Sequence, residues 1–167
     1  PAGAKSGSAY VVFGKASGFA SNFSLSTLDG TNGFRLDGIQ AGDETGRGVD
    51  SAGDLNGDGF DDLIVGARQS ANGVTDPGIS YVVFGKASGF ASSLSFSDLN
   101  GVNGFALRGA ETNSRSGYSV NGAGDVNGDG FSDVVIGAFA ASPNGLGTEG
   151  ASYVIFGGNF DGGSRNV

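Results

Sequence analysis

The sequence predicts an all-β chain built from β-propeller blades, each a four-stranded antiparallel sheet, with the propeller incomplete within its 167 residues. Three observations carry this prediction. Tyr10-Val11-Val12-Phe13-Gly14-Lys15-Ala16-Ser17-Gly18-Phe19-Ala20 returns unchanged from Tyr81 to Ala91, a repeat of 71 residues. Each period holds four short runs that read as strands, the content of one blade. The 34 glycines far exceed the usual share of about 7% and sit between the runs, where strands must end.

The chain opens within a blade. Residues 8–13 read as a third strand and Phe34-Arg35-Leu36 as a fourth, so 1–45 is a partial blade. Residues 46–116 supply a complete one. Its first strand, 47–52, is made of small residues, as needed where several sheets crowd a common axis. Residues 60–67 and 79–84 are apolar enough to be buried on both faces between neighbouring blades, and Phe105-Ala106-Leu107 is the fourth strand. Residues 117–157 repeat the first three strands as 118–123, 131–138 and 151–156, a second partial blade. The remaining 158–167 are polar and glycine-rich, expected as a tail or linker. No stretch shows sustained helical spacing. A nine-strand β-sandwich is the competing architecture, and a repeat with one carboxylate loop per unit favours blades. Phe19, Phe23, Leu25 and Leu28, with Phe90, Leu94, Phe96 and Leu99, lie on long connections expected to fold back onto their own blades.

The chemistry concentrates in Asp54-Leu55-Asn56-Gly57-Asp58-Gly59-Phe60-Asp61-Asp62 and its copy Asp125-Val126-Asn127-Gly128-Asp129-Gly130-Phe131-Ser132-Asp133. Oxygen-bearing side chains stand at positions 1, 3, 5 and 9 with glycine at 6. That spacing suits a hard cation such as Ca²⁺, which takes about 6–8 oxygens from a tightly curled loop. An EF-hand needs a bidentate glutamate at position 12. Here that place holds Val65 and Ile136, inside β-branched runs that belong to strands. Three carboxylates forced together would repel one another without a cation. Asp61, matched by Ser132, is read as solvated, and Arg47 and Tyr118 as decoration at the start of the inner strand.

From 53 to 67, and again from 124 to 138, the chain resembles the FG-GAP repeat of integrin α-subunits and bacterial surface proteins. The resemblance covers nearly the whole chain, from Ser8 to about Gly157. It implies a propeller in which the loop joins the first two strands of a blade and holds Ca²⁺. By position the ligands would be Asp54, Asn56, Asp58, Asp62 and the Phe60 carbonyl, then Asp125, Asn127, Asp129, Asp133 and the Phe131 carbonyl. Thr45 and Ser116 replace the family's phenylalanine before glycine, and Arg68 and Phe139 its closing proline. Those departures weaken any claim to integrin-like ligand binding and leave the metal loops intact.

A net charge of −8 with nine Lys and Arg disfavours nucleic acid. Without His, Cys or Met the ordinary ligands of zinc, copper and haem iron are missing, as is any His- or Cys-based nucleophile–base pair. No apolar run reaches the length of a membrane-spanning helix. The expectation is a non-enzymatic, calcium-binding, extracellular or cell-surface module for adhesion or protein–protein interaction. Its partner would be another protein, or a second copy meeting the incomplete blades. The alternatives are a structural repeat of a surface layer or filament, and a non-catalytic propeller attached to a hydrolase.

Overall fold

The structure, a computed structural model, describes residues 3–68, 77–147 and 149–160. Ten strands account for the described architecture: β1 (Ser8–Val12), β2 (Gly33–Asp37), β3 (Thr45–Gly53), β4 (Asp62–Ala67), β5 (Ile79–Val83), β6 (Ser93–Ser95), β7 (Gly104–Arg108), β8 (Ser119–Gly124), β9 (Asp133–Ala138) and β10 (Ala151–Ile155). The helical content among the described residues is two short 3-10 turns, Leu25–Thr27 and Phe96–Asp98.

β3-β4-β5-β7 form one antiparallel four-stranded sheet, the complete blade. Its middle strands are the apolar ones: all of β5 is buried, as is nearly all of β4. β8-β9-β10 repeat the first three strands. On the other side β1 and β2 pair antiparallel, and β6 joins β2 in parallel.

The inner strands β3 and β8 of successive blades pack against each other, and their small residues are what permit it. A Cβ on Gly122 would lie 2.4 Å from the Ser51 carbonyl oxygen. Asp50 then fastens the two strands, its Oδ2 accepting from Asn121 Nδ2 at 3.0 Å and from the Gly122 N–H at 3.1 Å.

Two apolar cores lie on opposite faces of the central blade. One gathers Phe34 and Leu36 against Val65, Tyr81, Val83 and Phe96. The other gathers Ile64, Val82 and Phe84 against Val134 and Ile136, with Leu55 closing one end. The same aromatic trio marks both. Phe13, Phe34 and Phe90 meet with centroids 4.6–5.8 Å apart. Phe84, Phe105 and Phe160 do so at 4.9–5.8 Å.

Two sequence expectations change here. The connection 85–103 does not fold only onto its own blade. Phe96 stacks on Tyr81 of that blade, whereas Phe90 stacks on Phe34 and β6 pairs with β2 of the blade before. In the matching connection 14–32 Phe19 and Leu25 stay exposed, because no earlier sheet stands beside them among the described residues. Residues 158–160 are not a free tail either. Phe160 takes the place that Phe90 takes one blade earlier, so the repeat runs on in shortened form; 161–167 lie outside the described residues.

Candidate metal loops

Each loop bridges the end of an inner strand and the start of the apolar strand beside it. In the first, Asp54 turns inward at the end of β3: its Oδ1 accepts from the N–H groups of Gly57 (2.8 Å) and Asp58 (3.0 Å), and its Oδ2 from Gly59 (3.0 Å). Asn56 Oδ1 accepts from the Asp58 N–H at 2.9 Å, and Asn56 Nδ2 donates to Asp58 Oδ2 at 2.8 Å. Asp58 Oδ1 accepts from the Phe60 N–H at 2.9 Å. Asp62, at the first position of β4, forms the buried floor, accepting from the Leu55 N–H at 3.0 Å and the Gly85 N–H at 2.8 Å.

The second loop repeats this bonding through Asp125, Asn127, Asp129 and Asp133, the last accepting from the Val126 and Gly157 N–H groups. In both copies the sequence-assigned side chains thus line one loop, the asparagine and the aspartate two residues on in direct contact (Asn56 with Asp58, Asn127 with Asp129) and the others bonded to backbone N–H groups. Phe60 and Phe131, expected to lend carbonyls, sit two residues before each floor aspartate. Asp61 is exposed, as expected.

Burial pushes the Asp62 carboxyl up to about 6; the Gly85 and Leu55 N–H groups pull it down, and the charges of Asp58 and Asp54 push it up again. Asp125, at the rim of the other loop, is lowered chiefly by the Gly130 N–H. Among the described residues no three carboxylates are gathered tightly enough to grip a metal as they stand, each being turned on backbone N–H groups. The donor set nonetheless fits a hard cation. Every donor is oxygen, and the like charges acting on Asp62 are what a cation would neutralise.

A feature that the motif alone does not announce is that the first loop is clasped by the second. The Ser132 N–H donates to the Asp54 carbonyl at 2.9 Å, and the Gly158 N–H to the Leu55 carbonyl at 2.9 Å. The Phe131 ring lies over Gly57, where a Cβ would fall 2.4 Å from its Cε1.

The FG-GAP repeat family model matches residues 45–83 and 116–155, each match running from the inner strand through the loop to the third strand. The chain carries FG-GAP repeats. It is 36% identical over 124 residues to integrin alpha-4 of Xenopus laevis, covering 74% of this chain and 11% of that protein. To integrin alpha-V of Gallus gallus it is 35% identical over 109 residues, 63% of this chain and 10% of that one. Integrin alpha pat-2 of Caenorhabditis elegans is 34% identical over 118 residues, 69% of this chain and 9% of that one. The chain thus spans about a tenth of the length of these curated relatives. The FG-GAP repeats and the blades agree: this is an integrin-like β-propeller-type fold. Among the described residues no helix is long and apolar enough to cross a membrane.

Proposed function

We propose that the chain is a calcium-stabilised extracellular propeller module for adhesion or protein–protein interaction. The observation that carries it is the pair of oxygen-only loops, each seated on a wholly buried aspartate, in a chain whose relatives are integrin α-subunits. Asp54, Asn56, Asp58, Asp62 and the Phe60 carbonyl would hold one Ca²⁺, and Asp125, Asn127, Asp129, Asp133 and the Phe131 carbonyl the other. The ion would supply positive charge that ties the rim of a loop to its floor. Asp62 would present its carboxylate to the ion while the Leu55 and Gly85 N–H groups keep it oriented. Such loops suit the millimolar calcium outside cells, which supports reading the module as cell-surface or secreted.

Melting curves test this. A ligand at a hundredfold excess over its Kd stabilises by about 2.7 kcal/mol. For a chain of this size that raises Tm by roughly 5–10 °C per ion. Chelator should remove the gain, and Asp58→Ala with Asp129→Ala should abolish the response to Ca²⁺. An unchanged melt in excess chelator contradicts the metal assignment.

A further inference from the structure

Three of the nine Lys and Arg residues converge at the end of the blades opposite the metal loops. Arg47 stands at the start of β3, Arg68 just past β4, and Arg115 ahead of β8. They are laid on two exposed rings. The Arg47 guanidinium lies 4.6 Å and that of Arg68 6.0 Å from the Tyr118 ring centre, and Arg115 lies 5.3 Å from that of Phe139. The rings meet edge to face at 4.8 Å, and Arg47 Nη2 donates to the Tyr118 hydroxyl at 3.1 Å. The Tyr118 phenol is lowered, first by the Arg47 hydrogen bond and then by the charges of Arg47, Arg68 and Arg115, so all three cations act at one point.

Among the described residues, balancing carboxylate is sparse. Glu44 answers both Arg47 and Arg68, each at a long 3.5 Å, and Glu111 is engaged by the Ser142 N–H at 2.6 Å. Arg115 meets no carboxylate among the described residues. On a chain of net charge −8 this is, among the described residues, a local reversal of sign, with Tyr118 37% and Phe139 48% exposed beside it.

We propose that this cluster is a docking site for an acidic peptide segment, one that places a carboxylate beside an apolar side chain. Arg115, over the Phe139 ring and in no ion pair among the described residues, has its guanidinium available for bidentate pairing with a carboxylate, while Arg47 and Arg68, sharing Glu44, add positive charge beside it. The exposed rings offer apolar contact in the same footprint, and aromatic and arginine side chains are the usual anchors of protein interfaces. A sulfated sugar polymer would satisfy the charges and leave the rings uncovered. The site deepens the reading of the chain as an interaction module and does not depend on calcium.

The test is a titration, in chelator, of a labelled peptide alternating glutamate with leucine, its glutamine counterpart, and a sulfated oligosaccharide. Chelator prevents a bridging Ca²⁺ from carrying the acidic peptide to the loops. The proposal expects saturable binding of the glutamate peptide that weakens with salt. Binding should be about tenfold weaker for the glutamine peptide, and for Arg115→Gln and Phe139→Ala, with Tm unchanged. Arg115→Gln is chosen because it breaks no ion pair among the described residues. Equal binding of the glutamine peptide, preference for the sulfated sugar, survival of binding in both variants, or no saturable binding overturns the proposal. Any of these with a chelator-sensitive melt removes the docking site and leaves the calcium reading standing.

Discussion

Loops 54–62 and 125–133 differ at two of nine positions, Leu55 against Val126 and Asp61 against Ser132, yet they stand in unlike surroundings. Leu55 is wholly buried and Val126 is 60% exposed. The first loop is closed over by Ser132, Gly158 and the Phe131 ring, which belong to the blade that follows. The second has no such cover among the described residues. The comparison teaches that the motif fixes the inward bonding of a loop, while the next blade fixes how firmly that loop is held.

The largest expected contrast is in the core. Leu55→Ala should cost about 2–5 kcal/mol in denaturant unfolding, the usual range for emptying a buried leucine site. Val126→Ala should stay within about 0.5 kcal/mol. Equal losses would mean that the clasp contributes nothing. A finer contrast uses Gly57 (φ +78°) and Gly128 (φ +77°). Alanine at either pays about 1–2 kcal/mol for the left-handed backbone. Only Gly57→Ala also collides with the Phe131 ring, a neighbour that Gly128 lacks, so it should lose a further 1 kcal/mol or so. Matching losses would show that the ring does not press on the first loop.

The smallest effect sharpens the link between blades. Asp50 is lowered by the Gly122 N–H and by Asn121, so its ionised form is favoured in the folded state. Its contribution is therefore present above the ordinary carboxylate range and fades as the pH falls through the lowered value. Asp50→Ala should cost about 1 kcal/mol at neutral pH. It should also flatten the acid limb of stability against pH; an unchanged limb would exclude Asp50 as a link between β3 and β8.

Much of this was legible in the sequence. The strand pattern was, because β-branched runs such as Leu63-Ile64-Val65 and Tyr81-Val82-Val83 recur at fixed spacing with glycine between them. The loop side chains were, because a short curled segment leaves few ways to arrange its aspartates. What was hidden is non-local. Ser93-Leu94-Ser95 carries no strand signal of its own and becomes β6 only because β2 offers an edge. Phe160 is hard to match to Phe90 in the sequence because the third copy is shortened between Phe156-Gly157 and the next ring; a phenylalanine soon after Phe-Gly is the one local clue. The Arg47–Tyr118 contact joins residues 71 apart at equivalent places of two repeats, so neither side chain announces it alone.

Calcium in the two loops is the central proposal for this chain, and a calorimetric Ca²⁺ titration of the chelator-stripped chain addresses it most directly. The account predicts two bound ions, the tighter one lost in Asp58→Ala and the weaker in Asp129→Ala, because the clasped loop has less ordering left to do when the ion arrives. Heat indistinguishable from dilution, or binding that survives both substitutions, would contradict it.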